Sequence, residues 1–291
     1  LLILLLPAVS FPFILYLSTS VLGPLFGCLG LNHVLKKEYP WLHTVEKNGK
    51  QLLKQYPNII KTTGLIFFHR ITSFIVFKIA HFIMYAFTSL TQVAYYGNYL
   101  VIVDKAKDVL NMAFSSTGSG VGNLIASGDK KHILEVFWEL IDSRMCLSSG
   151  FILVIGLITD PLISLWLSPS YLLGNSVLFL ICFYSWMSIN RTTIDEFKDG
   201  FGLFQDIGAP IVEGVINLGV ALVCGYFYGI AGVLLGNVTS TILIVLGWKP
   251  YYVYKHGFKI SPIRNYYLPI LGRYSLLALN AYVFVFVVHW I

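Results

Sequence analysis

Apolar residues along this chain run in long blocks instead of alternating with polar ones. Eight blocks predict helices able to cross a bilayer, at about 2–31, 62–90, 98–127, 133–167, 171–191, 209–229, 230–248 and 266–290. Several exceed the ~20 residues that span a hydrocarbon core, so tilting or protrusion is expected. Pro7, Pro12 and Pro24 predict kinks in the first block. One polar stretch is longer than a short loop. Residues 33–61 read as an amphipathic helix at the membrane surface, with Tyr39, Trp41 and Tyr56 near the headgroups.

Loop charge alternates with the blocks. Loops 33–61, 128–132, 191–208 and 249–265 hold 6, 2, 2 and 4 lysines and arginines, whereas "TQVAYYGN", "SPSYLLG" and "GYFYGIAG" hold none. Basic loops stay in the cytoplasm, which places these four inside and ends the first helix there. The expected fold class is therefore all-α: a polytopic membrane helix bundle of about eight transmembrane helices.

Composition agrees. Hydrophobic residues make up 56% of the 291 and charged residues 12%, against about 25% charged in a soluble domain. The net charge of +6 comes from scattered lysines with no RNP, zinc-finger or basic-helix pattern, so no nucleic-acid partner is expected. Cys28, Cys146, Cys182 and Cys224 lie far apart in apolar segments, without metal or disulfide spacing. The chain opens on "LLILLL" without methionine and closes within an apolar run, so both ends of a longer protein are expected to be missing.

The unusual feature is charge inside the apolar blocks. "YLVIVDKAKDVLNMAF" (99–114) sets Asp104, Lys105, Lys107 and Asp108 in an otherwise apolar run. A charge at mid-bilayer costs about 2.5–3.5 kcal/mol on insertion scales, so each must face a partner or water. At helical spacing Asp104, Lys107 and Asp108 share a face with Asn111, Ser115, Gly118 and Gly122, predicting a polar stripe along a cavity-lining helix. The preceding block brings Arg70 and Lys78, eight residues apart and nearly in phase. The following one brings Glu135, Glu139, Asp142 and Arg144, and "PIVEGVINL" spaces Glu213 and Asn217 as i and i+4.

Two readings compete for these groups. Asp104 with Lys107 or Lys78, and Asp142 with Arg144 or Arg70, can be structural ion pairs that only satisfy one another. Alternatively they line a hydrated cavity whose bases attract anions and whose acids (Asp104, Asp108, Glu139, Asp142, Glu213) hold a coupling Na+ or H+ or balance charge. Asn111, Ser115 and Asn217 then line it. "GSGVGN" (118–123) lacks the Gly-Lys-Ser/Thr of a phosphate loop and suits close helix packing. No catalytic triad or His-x-x-x-x-Asp arrangement occurs, so a transporter is expected over an enzyme, with no metal and no cofactor beyond a coupling ion.

"VAYYGNYLVIVDKAKDVLNMAFSSTGSGVGNLIASGDKKHILEVFWEL" resembles the central region of bacterial polysaccharide-export flippases, the Wzx-type transporters of O-antigen or capsule repeat units. "DPLISLWLSPSYLL", "GLFQDIGAPIVEGVINLGVALVCGYFYGIAGVLLGNV" and "GWKPYYVYKHGF" are similar to that family in order and spacing. The resemblance implies two six-helix lobes around a central cavity. Residues 1–32 would be the last helix of the first lobe, 33–61 a cytoplasmic linker, 62–250 the second lobe, and 251–291 a loop and an extra helix. The implied activity is moving undecaprenyl-pyrophosphate-linked oligosaccharide across the bacterial cytoplasmic membrane, among membrane lipids and other polysaccharide-assembly proteins. Arg70, Lys78, Lys105 and Lys107 would meet the pyrophosphate. A multidrug or organic-cation antiporter of the same superfamily is the first alternative; a membrane polysaccharide polymerase or ligase is the second.

Overall fold

The computed structural model describes residues 12–41 and 49–277, and every regular element among them is helical. The chain divides into two compact units, Leu1–Ile60 and Lys61–Ile291. The first holds α1 (Pro12–Glu38) and α2 (Gly49–Gln55). Pro24 sits inside α1 without ending it, and the helix stops just before Pro40, which disfavours helical backbone at Tyr39. The amphipathic stretch expected at 33–61 is thus shared between the end of α1, α2 and the start of α3.

The second unit contains α3 (Pro57–Phe87) from residue 61, α4 (Leu90–Ala113), α5 (Thr117–Ser127), α6 (Lys130–Trp166), α7 (Asn175–Gly200), α8 (Gly208–Phe258) and α9 (262–277). Local chemistry sets the boundaries. The Ser89 hydroxyl accepts from Gln92 N to start α4. Gly128 ends α5 in the left-handed region at φ 79°, and the next residue, Asp129, caps α6 by accepting from Lys131 N and His132 N. That Gly-Asp pair explains the sharp turn between the two helices.

Among the described residues, three helices are long and apolar enough to cross a membrane: Lys130–Trp166, Asn175–Gly200 and Gly208–Phe258. Leu165, Phe179, Val223 and Phe227 on them are exposed, as lipid contact requires. The eight expected spans are not reproduced one for one. The 98–127 block is broken at Phe114–Ser116, and the four charges near the middle of α4 leave it no uninterrupted apolar span. Much of 266–290 lies outside the described residues.

α8 is the element that sequence periodicity reads most closely. At Gly229 the backbone takes φ 57° and ψ −130°, a region essentially restricted to glycine, and the helix folds back on itself. The arms, 208–228 and 230–258, pack along small residues. A Cβ on Gly232 would lie 1.9 Å from the Cys224 carbonyl oxygen, and one on Gly236 would lie 2.6 Å from the Asn217 carbonyl oxygen. The break falls where the blocks 209–229 and 230–248 meet. Beyond Ser240 the second arm widens into π-helix over Thr241–Trp248 and again over Val253–Phe258.

Among the described residues two large apolar cores, with a smaller third around Ile152, Cys182 and Ile189, hold the unit together. One joins Met84, Tyr99, Val103, Ile163, Met187 and Val233 from α3, α4, α6, α7 and α8. The other surrounds Phe137, which meets Phe197, Tyr254 and Phe258 edge-on at 5.0–5.5 Å between centroids.

Candidate functional site

α7 carries the chemistry, because two of its faces are charged. At about 100° per residue, Arg191, Asp195 and Lys198 fall within roughly 60° of one another, while Thr193 and Glu196 point away from them.

The Thr193–Glu196 face meets α5 and α6. Arg144, 1% exposed, donates to Glu196 Oε1 at 2.7 Å, to Thr117 Oγ1 at 2.6 Å and to Thr193 Oγ1 at 3.0 Å. Its guanidinium also lies 5.0 Å over the Phe114 ring. The Thr117 hydroxyl donates to Glu196 Oε1 at 2.8 Å. Three helices are thereby fastened at one guanidinium. Glu196 Oε2 is buried and has no hydrogen-bond partner among the described residues.

The opposite face meets the open end of the α8 hairpin. Arg191 bonds Asp195 at 3.2 Å and lies 3.8 Å from Glu213 on the first arm. Asp195 accepts from Lys249 on the second arm at 2.8 Å. Charges of alternating sign therefore run Glu213–Arg191–Asp195–Lys249 across three helical segments. Next along the face, Lys198 is 6% exposed and feels Lys249 and Asp206.

The residues expected from sequence are distributed as follows. Lys107 bonds Asp104 at 2.7 Å and Lys105 bonds Asp108 at 3.1 Å, each within α4. Lys105 is 78% exposed and Lys107 20%. Glu213 faces Arg191 of α7 at 3.8 Å. Asn217 donates to Asn237 at 2.6 Å across the hairpin. Asp142 forks onto Arg273 of α9, not onto Arg144, and Glu139 and Asn111 are exposed. The polar stripe does not run unbroken: Ser115 sits in the turn between α4 and α5, and Gly118 packs against Glu196. Arg70 and Lys78 lie on α3, and their side chains are outside the described residues.

Arg191, Asp195, Glu196 and Lys249 escape a reading that ends the helix at 191 and assigns 191–208 to a loop. α7 is helical as far as Gly200. The spacing i, i+4, i+7 of Arg191, Asp195 and Lys198 is the signal that finds the first two; nothing local in the sequence marks Glu196 or Lys249.

No protein-family model, curated protein or solved structure matches the chain.

Proposed function

We propose that the chain belongs to a membrane transporter that moves undecaprenyl-pyrophosphate-linked oligosaccharide from the cytoplasmic to the outer leaflet of a bacterial cytoplasmic membrane by alternating access. The observation that carries this reading is the run Glu213–Arg191–Asp195–Lys249. Ionisable groups on apolar helices mark a pathway. A pyrophosphate headgroup cannot cross hydrocarbon unaided, and basic side chains replace water as its solvent.

The pairing suits a changing partner. Asp195 holds two cations, and Arg191 has two carboxylates within reach. An arriving anion can take Lys249 while Asp195 and Glu213 retain Arg191, or take Arg191 while Asp195 retains Lys249, so Asp195 keeps a cation at every stage. A coupling Na+ or H+ would act on these carboxylates or on Glu196, whose second oxygen makes no hydrogen bond among the described residues.

The test is complementation by the full-length gene in a strain lacking its undecaprenyl-linked glycan flippase. Arg70, Lys78, Lys105, Lys107 and Arg191 are each changed to alanine. Restored surface glycan with the unmodified gene, and loss in the Arg191 and at least one α4 variant at equal membrane abundance, is expected. Full export from all five variants overturns the assignment of these cations. Failure of the unmodified gene to restore glycan in several flippase-deficient strains counts against the activity itself.

A further inference from the structure

The α8 arms are zipped by small residues from Gly229 only as far as Asn217 and Ser240. Beyond that point they diverge and leave a cavity of about 600 Å3. Val212 of the first arm and Ile244 of the π-helical part of the second supply apolar wall. Trp248, Tyr251 and Tyr267 supply rings, and Asp206 supplies the charge. The volume is that of a site for a small organic molecule. π-Helical segments recur at functional sites.

Asp206 decides the ligand. It is 9% exposed, and among the described residues it makes no ion pair. Lys198 attracts it without reaching ion-pair distance. One carboxylate oxygen accepts from the Trp248 indole at 2.9 Å. A buried carboxylate without an ion-pair partner, set beside aromatic faces on an apolar wall, complements a cation with an apolar body. An anion would meet the carboxylate head-on, and a neutral hydrocarbon would gain nothing from it.

We propose that the cavity between the splayed arms of α8 binds an amphiphilic ammonium compound, its cation held by Asp206 and the rings of Trp248 and Tyr251 and its apolar body against Val212 and Ile244. Asp206, Trp248 and Tyr251 are not among the residues assigned above to the pyrophosphate, and the site stands whether or not glycan transport does. A free organic amine and the ammonium headgroup of a phosphatidylethanolamine share the required chemistry.

The test uses the full chain in phosphatidylglycerol nanodiscs, with benzyltrimethylammonium and its uncharged carbon isostere neopentylbenzene as probes in equilibrium dialysis. The cation is expected to bind about tenfold tighter than the isostere or better, as a desolvated cation–π contact plus a carboxylate implies. Asp206→Asn, which can still accept from the indole, is expected to bring the two affinities together by weakening only the cation. Equal affinities in the unmodified protein, or a preference that survives Asp206→Asn, overturns the proposal. Should Asp206→Asn fail to fold, the unmodified protein still decides, and Tyr251→Leu, which keeps the carboxylate, must weaken the cation more than the isostere. Replacing phosphatidylglycerol by phosphatidylethanolamine separates the sources. Competition assigns the site to the lipid headgroup, and unchanged binding assigns it to a free amine.

Discussion

Gly232 on the second arm of α8 lies against the Cys224 carbonyl on the first, so that a Cβ there would sit 1.9 Å from the oxygen. No rotation relieves that clash, because backbone geometry fixes the Cβ and the oxygen it meets is itself backbone. Gly232→Ala must therefore part the arms, and overpacking of this kind costs about 1–3 kcal/mol or more. Gly219→Ala on the same hairpin meets nothing within 4 Å. It gains helix propensity, so its effect is expected between neutral and about 1 kcal/mol stabilising. Thermal midpoints of the two purified variants in one detergent check the contrast.

Arg144 anchors α5, α6 and α7 from a position that is 1% exposed. Arg144→Met strands Glu196, which then loses its Arg144 hydrogen bond while its other oxygen already lacks a partner. Leaving one member of a buried pair alone costs about 3–5 kcal/mol. Arg144→Met with Glu196→Gln removes both charges and is expected to recover a large part of that loss. A double-mutant cycle on chemical or thermal unfolding measures the coupling.

Asn217 and Asn237 bridge the arms at 2.6 Å, both nearly buried. Asn217→Leu leaves the Asn237 amide without that partner in an apolar setting. Hydrogen bonds between membrane helices measure about 0.6 kcal/mol on average and up to about 1.7, so a loss in that range is expected. Changing both residues to leucine should return most of it, since replacing both partners by apolar groups can be nearly neutral. Unfolding midpoints of the single and double variants provide the check.

What was legible in the sequence follows from the range of each interaction. The α8 turn is a local event, announced by the uncharged "GYFYGIAG" between two apolar blocks. The α4 salt bridges are also local, since Lys107 and Asp104 lie one turn apart. Arg144 with Glu196 joins positions 52 residues apart, and no periodicity encodes which distant carboxylate a buried arginine meets. Asp142, two positions away, was the plausible partner by proximity, but i and i+2 residues do not face each other on a helix. Asp142 instead reaches Arg273 across 131 residues. The network on α7 was hidden for a different reason. Polar residues at 191–200 look like a loop until the hairpin arms that pair with them are in place.

Lys105 offers the cleanest separation of fold from function. Its ammonium is 78% exposed and, among the described residues, bonds only Asp108, one turn along its own helix. An exposed pair of this type adds little to stability, so Lys105→Ala should stay within about 0.5 kcal/mol of the unmodified protein. Asp195→Asn is the opposite case. It withdraws the carboxylate shared by Arg191 and Lys249, leaves those cations without their common acid, and is expected to cost about 1–3 kcal/mol. If the α4 bases meet an anionic headgroup, losing one charged hydrogen bond lowers transport about tenfold or more, although the protein is as stable as before. Surface glycan measured beside detergent-extracted thermal midpoints distinguishes the two variants. Lys105→Ala is expected to lower the first and spare the second, whereas Asp195→Asn lowers both. Unaltered glycan in Lys105→Ala would leave the exposed lysine as a solvated partner of Asp108 and nothing more.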